Sequence, residues 1–262
     1  MVHSMNLRLE LPIGCSYHSK SQLARVITES WVEREMYCPS CDSDILERLP
    51  HGTKVFDFQC DNCEERFQVK SSSRPVGNRV VDSEYNTMIE AVYENRSPNF
   101  MFLHYSCATW EVRDLLLIPR HLISPSAIER RNPLREKARR AGWVGCDIVL
   151  ANIPQTGRIY AIKDSTIFSP ESIREKWNSL RFIEKIKPKQ RVWLVDVLRC
   201  ILSLGQKEFT LQQVYALFED ELSRLHPENK HVRPKIRQQL QVLRDKKQMR
   251  FIGNGRYKIL EE

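Results

Sequence analysis

No stretch of this sequence approaches the apolar length that a membrane helix needs, and the opening residues MVHSMNLRLELPIG lack the apolar core of a secretory signal. These absences argue against a spanning helix and against export, and lead to the expectation of cytoplasmic residence in a reducing compartment. Cys15, Cys107, Cys146 and Cys200 then read as scattered core or surface thiols and not as a disulfide framework. A surplus of negative charge is lacking as well. With 41 Lys and Arg against 33 Asp and Glu, the net charge is +8 and the pI about 9.1, which suggests a polyanionic partner, nucleic acid first. The chain has 262 residues, 41% of them hydrophobic, enough for two domains with cores of their own.

The other four cysteines are grouped. Cys38-Pro-Ser-Cys41 and Cys60-Asp-Asn-Cys63 form two C-x-x-C pairs separated by eighteen residues, within the spacing of a structural zinc site. The alternatives are two disulfides or four core thiols. Four thiolates around one Zn²⁺ close all its positions, so the expected role is structural.

The second pair sits at the turn of a hairpin. In KVFDFQCDNCEERFQVKSS, residues 54–72, the runs VFDF and RFQV alternate with period two and predict two short antiparallel strands. Phe56, Phe58, Phe67 and Val69 fall on one side, while Asp57, Gln68 and Lys70 gather on the other. An Asp followed by Gln-x-Lys on a hairpin strand resembles the signature of the PD-(D/E)XK nuclease superfamily. The resemblance implies Asp57 as a ligand of a divalent ion, Gln68 as second ligand through its amide oxygen, and Lys70 as the cation that orients the attacking water. Gln68 stands where Glu is commoner, and an amide brings no negative charge, so metal affinity is expected to be lower. An exposed strand face is the plain alternative.

Before the hairpin, residues 19–36 predict an amphipathic helix, with Leu23, Val26, Ile27, Trp31 and Val32 on its apolar face and Ser19 or Ser21 as cap. Glu29 on this helix is a candidate to restore the charge missing at Gln68; the alternative is a solvent-exposed carboxylate. After the hairpin come a polar loop over 71–78, a helix over 82–94, and apolar strands over 100–105 and 112–118. A further strand is expected over 158–162 and a helix opening at Ser169-Pro170, which together make a mixed α/β core. His104 reads as a core or interfacial histidine in preference to a base. Between these elements lies the basic run RRNPLREKARR, followed by Ala-Gly-Trp-Val-Gly-Cys. Arg139 and Arg140 suit phosphates, and Trp143 between two glycines either presents an apolar face to DNA or plugs the core.

Residues 184–191, EKIKPKQR, read as a charged linker. Helices are predicted over 192–204, 210–225 and 232–248, with Thr210 capping the second, and a hairpin turns at Gly253-Asn-Gly255. Three helices and a basic hairpin describe a winged helix. On the third helix Ile236, Leu240 and Leu243 make the buried stripe, leaving Lys235, Arg237, Gln238, Gln239, Gln241 and Arg244 outward, where Arg and Gln match guanine and adenine edges.

Across nearly the full length, SQLARVITESWV, YCPSC, the two-cysteine hairpin, SPNFMFL, ARRAGWVGC, GRIY and KIRQQLQVLRDK resemble the DpnI, or Dam-replacing, family of methyl-directed restriction endonucleases. The resemblance implies an α/β PD-(D/E)XK nuclease domain with a four-Cys zinc site over 1–183, a linker over 184–190 and a winged helix over 191–262. It implies a bacterial, cytoplasmic enzyme, monomeric in solution, that cuts double-stranded DNA bluntly at GATC when the adenine is N6-methylated, with Mg²⁺ held by Asp57, Gln68 and the Val69 carbonyl. It raises Trp143 to a methyl contact, joined by Lys235, Arg237, Gln238, Gln241 and Arg244 in the winged helix. Two other readings stay open: a methyl-DNA-binding regulator without catalysis, and a nuclease indifferent to methylation.

Overall fold

The computed structural model describes residues 5–11, 19–50, 53 and 55–260. Cys15 lies outside them. In chain order the elements are α1 (Lys20–Glu35), β1 (Glu47–Arg48), β2 (Phe58–Gln59), β3 (Arg66–Ser72), β4 (Arg79–Glu84), α2 (Tyr85–Tyr93), β5 (Asn99–Ser106), β6 (Glu111–Ile118), β7 (Ile128–Arg130), β8 (Gly145–Val149), β9 (Ile159–Lys163), β10 (Thr166–Ile167), α3 (Pro170–Ser179), α4 (Arg181–Glu184), α5 (Pro188–Ser203), β11 (Glu208–Thr210), α6 (Leu211–Leu225), α7 (Val232–Asp245), β12 (Met249–Gly253) and β13 (Arg256–Ile259). The chain divides into two compact units, the first comprising 1–81, 94–120 and 156–181 and the second 82–93, 121–155 and 182–262.

The first unit is built on a seven-stranded mixed sheet in the order β1-β2-β3-β5-β6-β9-β10. Its one parallel pair is β3 with β5; the other neighbours run antiparallel. Phe100 to Leu103 and Leu115 to Ile118 are each at most 1% exposed, which is why these runs sit at the sheet centre with apolar residues on both faces. Residues near the N-terminus run beside the start of β6 through the bridge of Arg8 with Glu111.

Two predicted elements change length. The strand expected over 55–58 is paired only at Phe58 and Gln59, because Val55 takes a φ of 76° that breaks the extended run. The helix expected from 82 begins at Tyr85, because the carboxylate of Glu84 accepts the backbone N–H of Asn86 (3.1 Å) and Thr87 (2.7 Å) and so caps the helix at that point.

The second unit holds β7, β8 and the part of β4 from Asp82 onward, in a small sheet with β8 central. The winged helix follows: α5, β11, α6, α7 and the hairpin of β12 and β13, the three strands ordered β11-β13-β12. Thr210 caps α6 in a reciprocal capping box with Gln213. The segment read as a linker is helical from Pro188, whose fixed φ suits a first helical turn. Gln239, expected outward, is 4% exposed, since it lies three residues after Ile236 on the same inward side of α7. No helix among the described residues is long and apolar enough to cross a membrane.

Candidate active site, metal centre and DNA interface

The hairpin turn brings Cys60 and Cys63 onto Cys38 and Cys41, the sulfurs of all four lying within 4.8 Å of one another. Cys38 Sγ is 3.6 Å from Cys63 Sγ, and Cys41 Sγ is 3.5 Å from Cys60 Sγ. No disulfide joins them. Burial and the neighbouring thiols push the Cys38 thiol far up and burial lifts Cys63 to about 11; both costs are those a bound cation would reverse. Four soft thiol donors at this spacing can hold a metal ion. The loop is clamped from behind by α3 and α4. Arg174 donates to the carbonyls of Cys38 (3.2 Å) and Ser43 (2.8 Å), lies over the Tyr37 ring, and Arg181 donates to Ser40 Oγ at 2.7 Å.

One strand away is the candidate active site. The Val69 N–H donates to Asp57 Oδ2 at 2.8 Å, and the Asp57 N–H donates to the Phe67 carbonyl at 2.9 Å. Asp57 is thereby fixed beside β3, on which Gln68 and Lys70 are two apart and both partly exposed. Burial raises the Asp57 carboxyl above the usual carboxylate range, opposed by the Val69 N–H and by Lys70, Arg25 and Arg48. Phe58 and Phe67, directly paired, are fully buried on the opposite side, as the alternation predicts.

Glu29 is 6% exposed, so it is not a solvated helical carboxylate. Arg48 from β1 and Arg25 from its own helix both pair with it, the latter at 3.4 Å. Its charge is therefore already engaged by two cations that also act on Asp57. Asp57 remains the one predicted ligand with a carboxylate on the hairpin. Its donor set with Gln68 and the Val69 carbonyl consists of hard oxygens, which suit Mg²⁺. His104 pairs through Nδ1 with Asp114 Oδ2 at 2.6 Å, the satisfied histidine the sequence suggests.

In the second unit the strand pair β7 and β8 carries the basic loop. Arg139 and Arg140 are exposed. Trp143 is half-buried, held with the Arg140 guanidinium 4.7 Å from its ring centroid. A Cβ on Gly145 would come within 2.7 Å of that ring, so glycine there gives the indole its seat. Gly142, at φ 78°, reverses the chain just before it. Trp143 thus neither plugs the core nor projects freely. On α7, Arg237, Gln238, Gln241 and Arg244 are exposed, while Lys235 is half-buried and donates to Gln238 Oε1 at 2.8 Å.

The model of the DpnI family, described as the Dam-replacing family, matches residues 5–186, and that of the Dam-replacing HTH domain matches 189–259. The chain belongs to the Dam-replacing family. The family is one of restriction endonucleases, and its HTH domain is the DNA-binding part, which here corresponds to the winged helix from α5 to β13.

For a Dam-replacing protein, the residues no motif marks are the cations around the hairpin. Arg25 and Arg48 surround Asp57 and Glu29, but Arg48 lies in a two-residue strand without a pattern of its own. Glu65 is likewise unmarked, yet Asn99 Nδ2 donates to it at 2.6 Å and Arg120 at 3.3 Å, tying the end of the cysteine turn to β5. The signal was an Arg or Asn at a strand end, which is too common to single out.

Proposed function

We propose that this chain is a methylation-dependent restriction endonuclease that cuts double-stranded DNA at GATC sites carrying N6-methyladenine, by Mg²⁺-assisted phosphodiester hydrolysis. The observation that carries this reading is the bond from the Val69 N–H to Asp57, which fixes a half-buried carboxylate beside the strand bearing Gln68 and Lys70. Asp57, Gln68 and the Val69 carbonyl would hold the ion. When bound, it supplies Lewis-acid stabilisation of the charge that builds on the scissile phosphate. Lys70 orients the attacking water for in-line displacement and offsets charge on the phosphate, leaving 5′-phosphate and 3′-hydroxyl ends. Arg25 and Arg48 moderate the cost of the buried carboxylate in the absence of substrate. The four cysteines hold Zn²⁺ as a closed structural site that fixes the hairpin tip.

Methylation at N6 replaces a major-groove donor hydrogen with an apolar group, so its reader needs an apolar surface. One buried methyl contributes only about 1 kcal/mol, and two methyls per palindrome read by two elements multiply the discrimination. Trp143 is assigned to the methyl groups read by the nuclease domain, with Arg139 and Arg140 on phosphates. The α7 residues Lys235, Arg237, Gln238, Gln241 and Arg244 are assigned to the winged helix's separate sampling of a methylated site. The division into a nuclease domain over 1–183, a linker over 184–190 and a winged helix over 191–262, a monomer in solution and cytoplasmic residence belong to the same proposal.

The test is an end-labelled duplex with a single doubly methylated GATC. The expected products are blunt at the centre of the site with 5′-phosphates; staggered ends or 3′-phosphates contradict the mechanism.

A further inference from the structure

Lys70, Arg25 and Arg48 all act on Asp57, yet the proposed chemistry puts only Lys70 to work on the phosphate. Arg25 of α1 and Arg48 of β1 meet on one carboxylate. Arg48 is ion-paired with Glu29, and Arg25 Nε lies 3.4 Å from Glu29 Oε1, one helical turn further on. The elements that carry the two arginines are fixed to the hairpin. Arg48 is registered opposite Phe58, the residue after Asp57, and the Leu49 N–H donates to the Asp57 carbonyl at 2.9 Å. On α1, Thr28 Oγ1 lies 3.1 Å from the Oγ of Ser71, the residue after Lys70. Contacts that do not involve the guanidinium groups thus set both arginines beside the strands of the site.

The two differ in how firmly they are held. The Arg48 side chain is 29% exposed and reaches a second carboxylate, Glu33, at 3.7 Å. The Arg25 side chain is 51% exposed, and a half-exposed ion pair of 3.4 Å is weak. If Arg25 turns away, the buried Glu29 still keeps Arg48, so no carboxylate is stranded. A phosphodiester offers Arg25 a better partner, because the guanidinium fork fits two phosphate oxygens. The reaction also needs such a partner. Charge builds on the non-bridging oxygens as water attacks, and Lys70 has to serve the water as well as the phosphate.

We propose that Arg25 is a catalytic residue: it leaves Glu29 to grip the non-bridging oxygens of the scissile phosphate, while Arg48 remains on Glu29. The inference rests on the reading of Asp57, Gln68 and Lys70 as the nuclease site. It gives the ion pair of Arg25 with Glu29 a role as the resting position of a cation that substrate recruits.

The test uses the full-length chain and two duplexes with one doubly methylated GATC, identical except that the cleaved linkage of one is an uncharged methylphosphonate. Binding of both to wild type and to Arg25→Ala is measured in EDTA, so that neither metal nor cleavage enters. The four affinities give the coupling between Arg25 and the charge of that phosphate, expected at roughly 10-fold. The same substitution at a linkage outside the site is expected to show no coupling. In Mg²⁺, single-turnover cleavage by Arg25→Ala is expected to fall roughly 10²-fold, with part of the rate restored by Arg25→Lys. A merely structural Arg25 would weaken binding of both duplexes equally, and a coupling of one overturns the inference. So does an unchanged cleavage rate, or equal coupling at the outside linkage. Should Arg25→Ala not fold, Arg25→Gln, which keeps most of the side chain's length, decides. The two readings fail separately: a wild type that never cleaves removes the enzyme reading, whereas a wild type that cleaves with no coupling removes the inference alone.

Discussion

Asp57 accepts the backbone N–H of Val69 at 2.8 Å, so its carboxylate is held against the strand that carries Gln68 and Lys70. A side chain held by the backbone of its partner strand cannot drift when the surface loops move. This bond brings Asp57 beside residues up to thirteen positions further along the chain.

Lys70→Ala is expected to lower cleavage roughly 10²- to 10³-fold while leaving the affinity for duplex DNA nearly unchanged, because the ammonium acts on the developing charge. Single-turnover cleavage and a gel shift read the two separately. A parallel loss of binding would make Lys70 a DNA anchor.

Asp57 is a carboxylate whose folded-state pKa is raised, chiefly by burial. The sign follows: the folded chain holds this proton more tightly than the unfolded one, so the contribution to stability is present below the ordinary carboxylate range and is lost as pH rises through the elevated value. Asp57→Asn should therefore raise the melting temperature of the metal-free chain at neutral pH and flatten its dependence on pH in that window, while abolishing cleavage. Thermal melts from pH 3 to 8 check it; an unchanged or lower melting temperature at pH 7 contradicts the burial argument.

Gln68→Glu adds the charge that the site lacks. Arg48 and Arg25 already engage Glu29, the carboxylate that would otherwise compensate. The Mg²⁺ concentration giving half-maximal cleavage should fall by roughly 10-fold. No change in a Mg²⁺ titration would mean that Glu29 leaves its arginines to supply the missing charge.

Gly145→Ala places a methyl within 2.7 Å of the Trp143 ring and must displace it. The variant is expected to reproduce the loss of methyl preference of Trp143→Ala, about 5-fold for each methyl contact given up, with the fold retained. Cleavage rates on methylated and unmethylated substrate measure the preference. Wild-type preference in both variants would remove Trp143 from recognition.

Removal of zinc should release the hairpin tip, since Cys60 and Cys63 tether it to the loop clamped by Arg174 and Arg181. Elemental analysis is expected to give one zinc per chain, and Cys38→Ser to lose it and lower the melting temperature by on the order of 10 °C. Full stability in strong chelator would mark the four sulfurs as core thiols.

The sheet centre, the four-cysteine site and the winged helix were legible because each is written in a local pattern: continuous apolar runs, fixed C-x-x-C spacing, and a capped helix such as Thr210 with Gln213. The hairpin that carries Asp57, Gln68 and Lys70 was legible for the same reason. What was hidden depends on partners distant in sequence. Glu29 looked exposed because its helical face is polar, and only the fold brings Arg48 against it. Gln239 looked outward because a polar residue beside a buried stripe is ambiguous by one helical position. Val55 took a positive φ that no strand pattern anticipates.

The most direct measurement is digestion of one plasmid prepared with and without adenine methylation at GATC, each in Mg²⁺ and in EDTA. The account predicts cutting of the methylated plasmid alone, in Mg²⁺ alone. Equal cutting of both forms would contradict methyl direction, and no cutting of either, with methyl-specific binding retained in a gel shift, would make the chain a methyl-DNA-binding protein whose Gln68 has ended catalysis.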